Sequence, residues 1–312
     1  MAEAILMREG KSIKWTADAA YSNGDIVQLR DGRAGVVIGD VASGDLADVY
    51  TEGVFKVLKN VTCVVVASQP LFWDHSANKA YIKHVNDRDF YLGCAIEDAT
   101  STGTTVSVAL NVWPKFTSAL ENGFNSIPVN TAGFPYVVGS GKGCCMGFST
   151  TAEAQKVDAL ALLGIAPACE GVFHALVNIV TNSDNAAGDF NVGVSNGTHA
   201  TSFDSVTEYL SIHVDGASTK LNAQSTDGTT TVAATDTTVT FTAGTPFAVT
   251  FDMRDLTDIQ VYIDGVNVLP SSVFKLNAAS GPLKAVAHFE KTSDDSPGNI
   301  VIGYAGIVSA QV

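Results

Sequence analysis

Between Lys11 and about Val112 the chain reads as short apolar runs cut by turn signals. Ser12–Thr16 alternates around Ile13 and Trp15, and Asp25–Arg30, Ala34–Ile38 and Gly53–Leu58 follow. Asn23-Gly24, Asp31-Gly32, Gly39-Asp40, Ser43-Gly44-Asp45 and Glu52-Gly53 separate them. Turns this closely spaced predict compact strands in a small barrel or sandwich, not βαβ units. Val61–Ala67 is an unbroken apolar run, as expected of a strand buried on both faces. Phe90–Ile96 and Thr104–Val112 complete a set of roughly seven to nine strands.

Residues 113–150 break the pattern with Trp113-Pro114, Ile127-Pro128, Gly133-Phe134-Pro135 and Gly139-Ser140-Gly141-Lys142-Gly143. So many breakers predict an ordered but irregular connector. Thr150–Leu163 is two-sided. Thr150 followed by Glu153 resembles a helical capping box, yet Gln155–Leu162 alternates. A strand is the better expectation, because a closed sandwich needs an opening strand to pair with its last one.

Beyond Val172 the alternation sharpens. Phe173, Ala175, Val177 and Ile179 share a face, with His174 and Asn178 opposite; Leu210, Ile212 and Val214 form a second such set, and Phe247, Val249 and Phe251 a third. Ile259–Ile263, Asp264-Gly265, then Val266–Leu269 predicts a hairpin with a type I′ turn, since both central residues must take positive φ. Leu283–Phe289 and Ile300–Val308 close the domain. The chain is therefore expected to be all-β: a β-barrel or β-sandwich over 1–113, a connector over 114–150 and a jelly-roll β-sandwich over 151–312.

Charge and cysteine change this picture little. Residues 1–148 hold 12 Lys and Arg against 15 Asp and Glu; residues 149–312 hold 6 against 17. So acidic a second half repels nucleic acid and anionic membranes, and neither is expected as a partner. The five cysteines, Cys63, Cys94, Cys144, Cys145 and Cys169, lack zinc spacing and are expected as buried free thiols. The apolar stretch in Met1–Glu9 is too short for a signal-peptide core, and no run approaches the ~18 apolar residues of a membrane span. Synthesis in a reducing cytoplasm is the matching expectation.

Candidate chemistry fails site by site. Tyr136–Gly143 resembles a phosphate-binding loop, but Tyr136 stands where glycine is required and Gly143 where the magnesium-binding hydroxyl belongs. His75, His84, His174, His199, His213 and His288 form neither HExxH nor tetrahedral zinc spacing. No GxSxG elbow singles out a serine. Glycoside hydrolysis needs two carboxylates about 5–9 Å apart, and Glu153, Glu170, Glu208 and Glu290 have no acidic partner along a clear strand. Asp252, Asp255 and Asp258 read as turn acids neutralised by Arg254. Ser183-Asp184-Asn185, Asp189 and Asn191 offer oxygens suited to Ca²⁺ but not the EF-hand pattern. Tyr209, Tyr262 and Tyr304 are the available glycan platforms, more simply read as half-buried packing residues. No catalytic, cofactor-binding or metal-binding residue is expected.

Two stretches look familiar. Gly10-Lys11-Ser12-Ile13-Lys14-Trp15-Thr16, Asn23–Val27, Gly35–Asp40 and Gly53–Val57, continuing through Leu71-Phe72-Trp73-Asp74 and Leu92-Gly93-Cys94-Ala95, resemble the small β-domain of phage capsid cement (decoration) proteins. Ala187–Gly193, Gly197–Thr201, Asp227–Thr230 and His288–Thr292 look like a concanavalin-like sandwich of phage structural proteins. Neither resemblance brings a catalytic motif. Together they imply a virion protein on the outer capsid surface, a homotrimer binding the major capsid protein, with an outward knob and Ile5, Leu6 and Met7 in an arm on the capsid. A host surface glycan is the alternative partner, implied by sandwich architecture alone.

Overall fold

The computed structural model describes residues 3–6, 11–129, 136–140, 143–148, 150, 152–181, 188–199, 202–216, 218–295 and 297–309. Two compact units divide the chain: Met1–Pro114 with Asp264–Val266, and Lys115–Ile263 with Asn267–Val312.

The first unit is built from ten strands: β1 (Ala4–Leu6), β2 (Ser12–Thr16), β3 (Ile26–Gln28), β4 (Ala34–Ile38), β5 (Leu46–Tyr50), β6 (Val54–Leu58), β7 (Pro70–Asp74), β8 (Lys79–Tyr81), β9 (Phe90–Ala95) and β10 (Thr105–Leu110). They form a six-stranded sheet, β1-β6-β10-β9-β7-β8, and a four-stranded sheet, β2-β5-β4-β3. Each sheet keeps two edge strands, so the barrel expected as one alternative does not close. Phe55, Val57, Leu71, Trp73, Leu92 and Val108 are buried in the larger sheet; Val27, Leu29, Val37 and Val49 form the smaller sheet's cluster.

One side chain ties the two sheets together. Asn111 follows β10 at a φ of 59°, the left-handed region that asparagine tolerates. Its Oδ1 accepts the Ala34 N–H at 2.8 Å, and its Nδ2 donates to the carbonyls of Ala34 at 2.9 Å and Thr51 at 2.8 Å. Two expectations fail in this unit. Val61–Ala67 is a turn and loop with a single bridge from Val65 to Ala99, and Val61 is exposed. The apolar run marked burial, not extended pairing. In place of the expected arm, Ile5 and Leu6 lie in β1, paired with β6 at the sheet edge; Met7 lies outside the described residues.

The second unit continues with β11 (Ser118–Ala119), β12 (Phe124–Val129), β13 (Tyr136–Ser140), β14 (Gly143–Phe148), β15 (Glu153–Ala161), β16 (Gly171–Thr181), β17 (Gly188–Ser195), β18 (Glu208–Val214), β19 (Lys220–Asp227), β20 (Thr231–Thr240), β21 (Phe247–Met253), β22 (Gln260–Ile263), β23 (Val266–Asn267), β24 (Lys284–Asp294) and β25 (Gly298–Ser309). One sheet runs β13-β14-β25-β16-β21-β22-β23 with β11 also on β25; the other runs β12-β15-β24-β17-β18-β19-β20. Their inner faces meet in one core that includes Phe173, Phe190, Phe251 and Phe289. The Phe289 ring lies 4.3 Å from Phe148 and 6.3 Å from Phe190, centroid to centroid.

The expected connector is instead sandwich: β11–β14 lie within 113–150. Pro128 sits in β12, an edge strand, where its missing N–H is tolerated. Gly143 is required by close approach, because a Cβ there would lie 1.9 Å from the Ile302 carbonyl oxygen. Thr150–Leu163 does contain a strand, β15. It pairs with β12 and β24, however, and not with the final strand β25. Asp264 and Gly265 take φ of 51° and 74°, the signature of the expected turn. Edge strand β20 pairs with β19 through two register shifts, and its Thr238 has a φ of 63°.

Two buried acids hold the loops at one end of the second sheet. Glu208 and Asp227 stand opposite each other on β18 and β19. Glu208 accepts the Ser280 N–H and hydroxyl, each at 2.8 Å, the Gly281 N–H at 2.9 Å and the Asn196 amide at 3.0 Å. Asp227 accepts the N–H groups of Thr229 at 2.9 Å and Thr230 at 2.7 Å. Burial pushes the Glu208 carboxyl up, but these donors outweigh it and hold the group below the usual range.

Two outcomes follow for stability. Gly298→Ala would place a Cβ 2.3 Å from Phe289 Cζ, and is expected to cost about 1–3 kcal/mol, read as a lower urea midpoint for the second unit. Glu208→Gln sets an amide NH₂ against backbone donors and is expected to cost about 1.5–3 kcal/mol at neutral pH. Because the folded-state value is depressed, this contribution is full above the ordinary value of about 4.5 and is lost as pH falls from there through the folded-state value below it. The difference between wild type and variant in urea titrations should therefore shrink as pH is lowered below about 4.5.

Candidate functional site

Alternation that sends Val157, Ala159, Phe190, Val192, Ile212 and Phe289 into the core sends their neighbours to the outer face of the second sheet. Strand register then lines those neighbours up. Asp158 faces His288, His288 faces Asn191, Asn191 faces His213 and His213 faces Asn222, across β15, β24, β17, β18 and β19. The next row sets Lys156 against Glu290 and Glu290 against Asp189.

An outward sheet face is ordinarily solvated. Here Asp158 and His288 are both 0% exposed, and Asn191, Ser211 and Gln224 are buried with them. The cover is the segment Ser202–Thr207. Its Phe203 and Val206 pack on Leu160, Tyr209 and Val286, the Phe203 ring lies 5.3 Å from His288, and Asp204 accepts a hydrogen bond from Gln224 at 2.9 Å.

Under this cover the charges answer one another. His288 Nδ1–H donates to Asp158 Oδ1 at 2.5 Å, and its Nε2 lies 3.2 Å from Glu290 Oε2. Lys156 Nζ sits 3.1 Å from the other Asp158 oxygen. With a carboxylate at each ring nitrogen, the geometry suits an imidazolium, both of whose nitrogens are donors. Burial alone would lower the His288 pKa; the hydrogen bonds and charges of Asp158 and Glu290 outweigh it and raise it. Two cations and two anions then sum to zero, as a dry site demands. Beside the row, Asn191 Oδ1 accepts from Ser211 at 3.1 Å, His213 at 3.2 Å and Gln224 at 3.1 Å. Burial raises the Asp189 carboxyl, with His213 opposing and Glu290 adding to the rise. Chemically the row holds protons and orders amides. His288 Nδ1 is engaged by Asp158, while Nε2 faces Glu290 without a hydrogen bond of good geometry.

Acidic partners do exist, across strands instead of along them. Glu290 faces Asp189 and Glu208 faces Asp227. Residues opposed in this way have Cβ atoms about 4.5–5.5 Å apart. Only strand register, which the sequence does not display, could have found these pairs. Glu290 lies against His288, and Glu208 and Asp227 are taken up by loop N–H groups.

The other sequence candidates scatter. The glycine-rich run after Tyr136 joins β13 to β14 and is not a strand-to-helix turn. His174 is buried beside Thr250, its Nδ1 3.1 Å from Oγ1. Arg254 pairs with Asp252 at 2.6 Å, while Asp255 binds Thr257. Ser183-Asp184-Asn185 lies outside the described residues, and among the described residues no three His, Cys, Asp or Glu side chains are grouped to hold a metal ion. Tyr209 and Tyr304 are buried, so neither offers a sugar-stacking platform. All five cysteines are free, three of them buried.

In the first unit a cleft of about 330 Å³ is lined by Asp18, Tyr21, Ile26, His75, Arg88 and Phe90 among others. Tyr21 donates to Asp18 at 2.8 Å, and burial with that carboxylate pushes its phenol up to about 12. Acidic and basic groups mix along its walls.

No curated protein matches the chain. Solved structures similar to it include a Bacteroides ovatus mixed-linkage glucan GH16 with a G4G4G3G product (7% identity, 61% of this chain and 99% of that one, TM-score 0.42). The carbohydrate binding module CBM66 from Bacillus subtilis is similar at 8% identity over 60% and 95%, with a TM-score of 0.36. The potassium-bound Emp46p carbohydrate recognition domain is similar at 12% identity over 53% and 84%, also at 0.36. The sandwich architecture rests on the chain's own strand order, not on these likenesses. The match in sequence lies elsewhere: the family model described as phage cement protein matches residues 7–110, nearly all of the first unit.

Proposed function

We propose that this chain is a capsid decoration protein whose first unit binds the major capsid protein on the outer surface of a phage head and stabilises the head. The carrying observation is the cement-family match across residues 7–110. The structure supports it through β1, an edge strand with one side unpaired in its sheet, whose Ile5 is 60% exposed. An open strand edge beside an apolar side chain suits capture by another protein surface. Copies assemble as a homotrimer in this reading, and many sites per head turn weak single contacts into lasting decoration. The sandwich projects from the head as a separate knob.

The non-enzymatic reading rests on what the acids already do: Glu208 and Asp227 hold loops, and Asp158 and Glu290 neutralise His288. Capsid binding is preferred to binding of a host glycan because Tyr209 and Tyr304, two of the three candidate stacking residues, are buried.

Purified protein mixed with heads of the matching phage that lack it should co-sediment with them and raise the temperature at which they release DNA. In solution its mass should be about three times that of the 32.5 kDa chain. Heads that acquire no protein at saturating concentration would overturn the assignment. A monomeric mass with normal head binding would remove only the trimer.

A further inference from the structure

We propose that Ser202–Thr207 is a pH-dependent cover over the polar row, docked while His288 is an imidazolium and released as that proton leaves. The groups facing His288 are known from every element around it. They are Lys156 and Asp158 on β15, Glu290 on β24, Asp189 and Asn191 on β17, His213 on β18, and Phe203 and Asp204 in the cover itself. With His288 charged, the inner four charges cancel. Without that proton, one ring nitrogen turns a lone pair toward a carboxylate oxygen, and the buried set carries net negative charge. A dry site does not hold such an arrangement cheaply, and entering water is the relief.

Water reaches the row most easily by lifting the cover. Among the described residues Phe203 and Val206 cluster with Leu160, Tyr209 and Val286, apart from the main core, with the Phe203 ring against His288. The Gln224–Asp204 hydrogen bond adds one polar tie. At its end the segment runs into Glu208, whose loop contacts do not involve His288. The segment can therefore open locally while the sandwich stays folded. The sign follows from the raised His288 value. Docking is at full strength below about pH 6.5 and weakens as pH climbs through the folded-state value above it. Opening presents Asn191, Ser211 and Gln224, now buried, as a polar strip on the sheet.

Hydrogen-exchange protection factors, corrected for intrinsic rate at each pH, test this in the intact chain. Amides of Phe203–Val206 are expected to lose tenfold or more in protection between about pH 6 and about pH 9.5, while those of Val172–Ile179 in β16 hold theirs. Glu290→Gln removes one carboxylate partner and should move the midpoint of the loss to lower pH. Unchanged protection at Phe203–Val206 in the wild type would overturn the proposal, and that profile alone decides should the variant fail to fold. A loss shared with Val172–Ile179, or an unshifted midpoint in the variant, would overturn it equally.

Discussion

The second unit depends on the period of two in an extended chain. A strand that gives alternate residues to the core must give the residues between them to the opposite face. Packing Phe190, Phe289 and Ile212 inward therefore commits Asn191, His288 and His213 to the outside, and register aligns them into a row. The polar row is the other side of the hydrophobic core, produced by the same residues' neighbours. What is unusual is that the row is covered, so its charges must balance without water.

Within-strand patterns were readable from sequence, and relations between strands were not. Alternation located β2, β4, β16, β18, β21 and β25, and Asp264-Gly265 located a turn whose positive φ angles follow from those residue types. Leu46–Tyr50 escaped because its outward side mixes the exposed Leu46 with Asp48 and Tyr50 and so shows no clean apolar–polar alternation; it becomes β5 through pairing with β2 and β4. The stretch 113–150 misled because proline and glycine were read as breakers. Pro128 occupies an edge, and Gly143 answers the nearness of β25. Val61–Ala67 misled in the opposite direction, since a buried loop and a buried strand are equally apolar.

The candidate site shows the same division. His288, Asp158, Glu290 and Asp189 are unremarkable along the chain, the first two standing 130 positions apart. Only the order of strands makes them neighbours. The cover was equally hidden, because Phe203 and Val206 belong to a single 3₁₀ turn, Phe203–Ser205 and its cap, too short for apolar residues to carry a periodic signal. The first unit was more readable, since its likeness to cement proteins lies in local motifs and needs no pairing to be seen. Within it the tie made by Asn111 went unseen, being a side chain that substitutes for backbone partners on Ala34 and Thr51.

On the proposed reading, many copies of the chain share one shell, at a local concentration far above that of free solution. Ten-residue strands with an unpaired side are hazards in such a crowd, because identical neighbours can zip onto one another and lock the array in a tangle. The two slips of register in β20 and its left-handed Thr238 bend that border out of line. A twin strand approaching it finds donors and acceptors out of step. Such an irregular edge resists pairing with an identical one.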